Sequence, residues 1–263
     1  MKYVSKRCVS KRHGAYRKGR KGFAGFSKAG SKSLRTKTYG SRNKIFQRGG
    51  NCRTIANPQA NNVFPDRVFA TLRYCEQHTL YTDNATGLIG ATQTYNLNSL
   101  HDPDQTSLGH QPGGYDQLIA IYNRWAVYAV RATISILNCD AATGALCMKW
   151  QPINNANSWT LAGRTAQNCR ETNNCTVLDC PSASPVQQWQ SDWIHIADMN
   201  GATRTQIFSD AYWQGTSSSN PSFVPQLVIG AGSYALETNK KIQFQITLEY
   251  KAVFMNRNEL EQS

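Results

Sequence analysis

The chain has 263 residues, 40% of them hydrophobic and 17% charged, with a formal net charge of +13. At roughly 100–200 residues per domain this is one large domain or two small ones, and no run approaches the ~18 consecutive apolar residues of a membrane-spanning helix. The charge is divided: seventeen Lys and Arg precede residue 54 with no Asp or Glu before Asp66, which leaves residues 54–263 at 12 − 16 = −4.

Residues 1–53 read as a disordered basic arm. Eight glycines break any helix, and apolar residues are too sparse to offset the entropy of ordering. The cations expected to meet a polyanion are Lys6, Arg7, Lys11, Arg12, Arg17, Lys18, Arg20, Lys21, Lys28, Lys32, Arg35, Lys37, Arg42, Lys44, Arg48 and Arg53. Tyr3, Tyr16, Phe23, Phe26, Tyr39 and Phe46 lie between them, so the arm has rings to stack on bases as well as charges to neutralise phosphates. With Lys and Arg mixed and spaced by Gly, such binding is expected to be independent of base sequence. Nuclear import is a second use of the same charges, and a solubilising tail is the bland alternative. A mitochondrial transit peptide shares this composition, but Arg12–Lys21 has no amphipathic helical period.

Residues 54–63 read as a polar hinge, and residues 64–263 as a β body. Val68, Ala70, Leu72 and Tyr74 alternate with Arg67, Thr71 and Arg73, the period of a half-buried strand. A short helix is expected at 115–123, where Leu118, Ile121 and Tyr122 share a face. From Trp125 to Asn138 a central strand is expected, with Ala126, Tyr128, Val130, Ala132, Ile134 and Ile136 on its main apolar side. Weaker strands are expected near 90–98, 144–151, 158–163, 191–198 and 223–231. The clearest strand ends the chain: Ile242, Phe244, Ile246, Leu248, Tyr250, Ala252 and Phe254 share one parity. Strands separated by long polar loops predict an all-β sandwich or jelly roll, with loops 99–114 and 166–190 long enough to be functional or to form interfaces.

No apolar core of a secretory leader is present at the N-terminus, so the eight cysteines are expected as reduced thiols of a cytoplasmic or nuclear protein. Cys169, Cys175 and Cys180 leave three readings open: free thiols, a disulfide, or a zinc site short of a neighbouring His. His101, Asp102, Asp104 and His110 gather in one loop that suits either a divalent cation or ordinary turn chemistry, and turn chemistry is the preferred reading. No metal site or cofactor is therefore expected. Neither is catalysis: there is no nucleophile elbow, phosphate loop or His-Glu-x-x-His motif. The six tryptophans are expected in core or subunit contacts rather than on a sugar-binding surface.

The stretches Tyr95-Asn-Leu-Asn-Ser-Leu-His-Asp-Pro-Asp104, Gly109-His-Gln-Pro-Gly-Gly-Tyr-Asp-Gln117 and Tyr122-Asn-Arg-Trp-Ala-Val-Tyr-Ala-Val130, behind a basic arm, carry a family likeness. The chain resembles the capsid proteins of circovirus-like, circular single-stranded DNA viruses that encode a replication initiator. The likeness covers the arm and about 64–138. The arm is richer in Lys and Gly than the dense Arg tract of circoviruses proper, and the second half is unusually rich in Cys and Trp. The resemblance implies a single eight-stranded jelly roll over 64–263. It implies sixty copies in an icosahedral T=1 shell, with the arm inside on a single-stranded DNA genome. It further implies host nuclear import receptors and a host cell receptor as partners, the virion and the host nucleus as locations, and no insertion into membranes. Two alternatives from the residues stand beside it: the jelly-roll coat of an RNA virus, since phosphate binding is blind to the sugar, and a cellular basic-tailed nucleic-acid-binding module.

Overall fold

The computed structural model describes residues 64–106, 109–152, 160–182 and 187–258. Two antiparallel sheets face each other. The first contains β1 (Arg67–Tyr81), β3 (Tyr122–Cys139), β6 (Gln188–Gln190), β7 (Ile194–His195) and β9 (Lys241–Arg257), in the order β1-β9-β3-β6, with β7 also on β3. The second contains β2 (Thr92–Asn96), β4 (Gly144–Gln151), β5 (Cys175–Asp179) and β8 (Gln226–Ser233), in the order β2-β8-β4-β5. β6 and β7 run along the same side of β3 and act as one interrupted edge strand. Across the interruption Ser191 donates its N–H to the Ala132 carbonyl (2.9 Å), and its Oγ accepts from the Ala132 N–H (3.0 Å). Counted this way the described residues hold eight strands in two four-membered sheets, and every connection but β4 to β5 crosses between the sheets, as in a jelly roll.

The alternation read in β1 and β9 is what pairs them. They are in register along their whole length, from Arg67 opposite Met255 to Tyr81 opposite Lys241. Their inward parity therefore coincides, and Leu72, Tyr74, Phe244, Ile246, Leu248 and Tyr250 meet in one core. Each such side chain contributes about 1.5–3 kcal/mol by leaving water.

β3 corrects the parity read from sequence. Its register against β9 slips between Val127 and Ala129, and again between Ile136 and Asn138. Each slip is a bulge that inserts one extra residue and swaps the two faces. Inward positions are therefore Trp125 and Val127, then Val130, Ala132, Ile134 and Ile136. Tyr128 turns to the opposite side, with its ring 6.1 Å from that of Phe69 and 5.8 Å from that of Phe208. Leu137, the other inserted residue, is exposed.

Other differences have local causes. α1 (Tyr115–Ile119) stops short of the expected 123, because the aromatic and β-branched run beginning at Tyr122 belongs to β3. Residues 160–163 form turns rather than a strand, and 153–159 lie outside the described residues. Of 191–198 only Ile194 and His195 are strand; α3 (Ile196–Asn200) follows directly. α2 (Ala166–Glu171) and α4 (Arg204–Ser209) open on complete capping boxes, Thr165 with Asn168 and Thr203 with Gln206. The expected loop 99–114 is in part interior: Ser99, Leu100 and Asp104 are buried. Among the described residues no helix is long and apolar enough to cross a membrane.

Candidate functional site

All sixteen cations expected to bind nucleic acid, Lys6 to Arg53, lie outside the described residues. The chain is described from Phe64. There the Arg257 guanidinium donates to the Phe64 carbonyl (3.0 Å) and the Tyr122 hydroxyl to the Pro65 carbonyl (2.9 Å). These bonds fix the start of the body where β1, β3 and β9 end.

The outward face of the first sheet carries a second set of cations, which the sequence showed only as the polar parity of its strands. By register Arg67 and Arg73 on β1, Arg124 and Arg131 on β3, and Lys241, Lys251 and Arg257 on β9 share its parity, with Glu249 the carboxylate among the described strand residues there. Glu249 bridges the strands: it accepts from Arg73 (2.7 Å) through Oε1, and from Arg131 Nε (2.7 Å) and Nη2 through Oε2. The Arg73 hydrogen bond, reinforced by Arg131, holds its carboxyl below the usual range despite partial burial. Trp193 lies over this row, its ring centroid 4.8 Å from the Arg131 guanidinium carbon and 3.9 Å from Lys251 Nζ. An excess of cations over carboxylates among the described strand residues leaves a face suited to phosphate. Lower on the same face Phe69 is 66% exposed beside Tyr128, an aromatic row open to a partner.

The loop residues considered together for a cation are separated by the fold. His101 Nδ1 pairs with its neighbour Asp102 (2.9 Å), which also accepts from Asn220 Nδ2 (2.9 Å). The His110 ring stacks on Tyr74, with centroids 4.7 Å apart. Asp104 alone turns inward. Its loop folds back along β2 through bonds from the Asn96 N–H to the Pro103 carbonyl (2.7 Å) and from the Gln105 N–H to the Thr94 carbonyl (3.1 Å). There Asp104 Oδ1 accepts from Gln93 Nε2 (2.7 Å) and Oδ2 from Thr106 Oγ1 (2.7 Å). It faces Glu76 and His78, inward residues of β1, and ligand atoms of the three lie within 4.8 Å of one another.

The six described cysteines are free thiols. Cys147, Cys169 and Cys175 interact beneath the second sheet. Cys169 is pushed up to about 12, chiefly by its thiol contact with Cys147, and Cys175 is raised by its contact with Cys169. Cys180 and Cys139 form a second pair, both raised by burial. Cys139, Cys147, Cys169 and Cys180 are buried, and Cys147 and Cys169 belong to the smaller of the two cores.

No protein-family model matches the chain, and no curated protein does. Solved structures do. Cocksfoot mottle virus aligns at a TM-score of 0.43 and 8% identity, over 73% of this chain and 97% of that one. A Maize Chlorotic Mottle Virus structure aligns at 0.39 and 12%, over 75% and 98%. Turnip yellow mosaic virus aligns at 0.35 and 12%, over 76% and 88%.

Proposed function

We propose that the chain is the shell subunit of an icosahedral virus particle. In this reading residues 64–263 form the wall, residues 54–63 a hinge, and residues 1–53 an arm that condenses a single-stranded genome. The observation that carries the reading is the division of charge: seventeen cations without an acidic residue precede a body of net charge −4 that folds as a jelly roll. A polycation attached to a nearly neutral sandwich binds phosphate by counterion release without base readout. The exposed Phe69 and Tyr128 row and the long connections give the wall surfaces for copies of itself, under the closed symmetry such shells use. A cellular binding module is the weaker reading, because nothing in it calls for a mildly acidic body. The role is structural rather than catalytic.

The genome is single-stranded DNA in the reading that the Tyr95–Gln117 stretch suggests, with import receptors taking the arm to the nucleus. It is RNA in the second reading, which matches the RNA viruses whose coats the fold resembles. Purified full-length protein decides both points. A megadalton, nuclease-protected particle is expected; a 29.3 kDa monomer that ignores oligonucleotides overturns the proposal. Sensitivity of the extracted cargo to ribonuclease or to deoxyribonuclease then assigns the genome. Removing residues 1–53 should leave a folded wall that encapsidates little. For the intact arm, affinity for a single strand should fall with salt at a log–log slope of about −7 if ten phosphates are contacted.

A further inference from the structure

β1 is one edge of the first sheet and β2 one edge of the second, so the two sheets part between them. The inward side of β1 changes character at this seam. Val68, Ala70 and Leu72 are followed on the same parity by Tyr74, Glu76 and His78. Opposite them stands Tyr95 of β2, its ring 5.8 Å from that of His78, and the returning loop adds Asp104 through a bridge to Tyr95.

A polar group placed inside a sandwich requires a partner, and here two lack one. The Tyr95 hydroxyl belongs to a fully buried residue and makes no hydrogen bond; burial, and then the charge of Glu76, opposes its ionisation. His78 Nε2 lies 3.1 Å from Glu76 Oε2, but at an angle that makes no hydrogen bond. Neither carboxylate meets a lysine or arginine among the described residues. Glu76 accepts from the Tyr74 hydroxyl, and Asp104 from Gln93 and Thr106. The cluster thus brings two carboxylates and an imidazole nitrogen together with no described cation bonded to them, and the unpartnered Tyr95 phenol stands on the facing strand. Glu76 and His78 side chains keep 22% of their surface in solvent, which leaves a way in.

We propose that Glu76, His78 and Asp104, completed by the Tyr95 hydroxyl, bind one divalent first-row metal ion of the Zn²⁺ or Mn²⁺ class at the seam between β1 and β2. The donor set selects the class. Carboxylates alone favour Ca²⁺ or Mg²⁺, whereas a ring nitrogen beside them favours Zn²⁺ or Mn²⁺. With bonds of about 2.0–2.2 Å, tetrahedral ligand atoms stand roughly 3.3–3.6 Å apart. The 4.8 Å spread must therefore close by about 1.2–1.5 Å, within reach of rotation of the partly exposed Glu76 and His78 side chains. The ion would cross-link the edge strand β1 to the edge strand β2 and to the 97–106 loop, which backbone bonds already tie to β2.

The test uses the full chain, stripped with chelator and titrated with Mn²⁺, which carboxylate and imidazole accept but which thiols do not favour. One equivalent bound per chain is expected by electron paramagnetic resonance, together with a raised melting temperature. His78→Gln and Glu76→Gln should each weaken binding at least tenfold. In the unsubstituted protein, bound Mn²⁺ should broaden the ring resonances of His78 and Tyr95 before those of His195, a readout that depends on no variant's folding. No saturable uptake overturns the site, as does uptake unchanged in both variants or broadening centred on another histidine. Particle assembly is scored separately, so loss of the metal site and loss of the shell reading are distinguishable.

Discussion

The first half of β9 in the first sheet alternates cleanly: Ile242, Phe244, Ile246 and Leu248 are fully buried, while Lys241, Gln243, Gln245 and Thr247 between them are only half-buried. β4 in the second sheet does not alternate at all. Leu146 and Met148 join the central core, Ala145 and Cys147 a second one, and every residue from Gly144 to Lys149 is buried. The second core is closed from outside by α2, Leu161 and Ile89. The first sheet thus keeps a polar outer row over part of its length, whereas the middle of the second, at β4, is buried on both faces. A strand covered on one side tolerates change on the other, and a strand covered on both sides does not.

The largest effect should come from breaking the two-sided sheet. A Cβ on Gly230 of β8 would stand 2.5 Å from Ile89 Cγ2, nearer than packed side chains approach. Gly230→Val should therefore cost about 3 kcal/mol by overpacking, read as a lower denaturation midpoint of the purified chain. Thr71→Val, on the exposed outer parity of β1, should stay within about 0.5 kcal/mol. Equal losses at the two positions would remove the contrast between the sheets.

The same contrast explains what sequence reasoning could reach. β1 and β9 were legible because one face is wet, so burial wrote a period of two into their residues. In β3 the period was visible but its phase was not: bulges at Tyr128 and Leu137 reverse it, and a bulge is set by cross-strand pairing that a single strand does not display. β5 gives no alternation, since Cys175 to Leu178 are all half-buried. The Thr203-x-x-Gln206 capping box of α4 is by contrast a purely local signal, with cap and partner three residues apart. For the candidate sites, the arm cations declare themselves by composition. The cations of the first sheet needed the register, and Glu76 and His78 meet Asp104 only because the loop after β2 turns back into the seam. Gly109 shows how tightly: a Cβ there would lie 2.6 Å from the Tyr74 hydroxyl oxygen.

A second, smaller effect separates the sheets by pH. Glu237 closes the end of the second sheet, accepting from the Ala142 N–H (3.1 Å), the Thr143 N–H (3.0 Å) and Ser233 Oγ (3.0 Å). These donors, the Thr143 N–H foremost, lower its carboxyl from the ordinary 4.5 to about 2. A lowered folded-state value means the stabilisation is complete above pH 4.5 and is lost as pH falls from there towards 2. Glu237→Gln should cost about 1–2 kcal/mol at neutral pH, and the variant should lack that part of the acid slope. An unchanged slope in equilibrium unfolding between pH 4.5 and 2 would show that this carboxylate does not anchor β4 to β8.

The smallest effect tests the matching carboxylate of the first sheet. Glu249 is held by the guanidinium groups of Arg73 and Arg131, whereas Glu237 is held by uncharged donors. Arg73 is 69% exposed, so its part of the bridge is open to screening. Glu249→Gln should cost about 1 kcal/mol at low ionic strength, and the difference from the unsubstituted protein should shrink towards zero near 1 M salt. Glu237→Gln should keep its cost there, because neutral N–H donors leave counterions little to screen. Removing Glu249 also frees two guanidinium groups on a face already rich in cations. Retention of a single-stranded oligonucleotide by the arm-deleted body should therefore rise, modestly and only at low salt. If salt acts on the two glutamine variants alike, or if retention falls, Glu249 is not the sole counter-charge of that face, and the distinction between a charged sheet and a sealed one loses its electrostatic half.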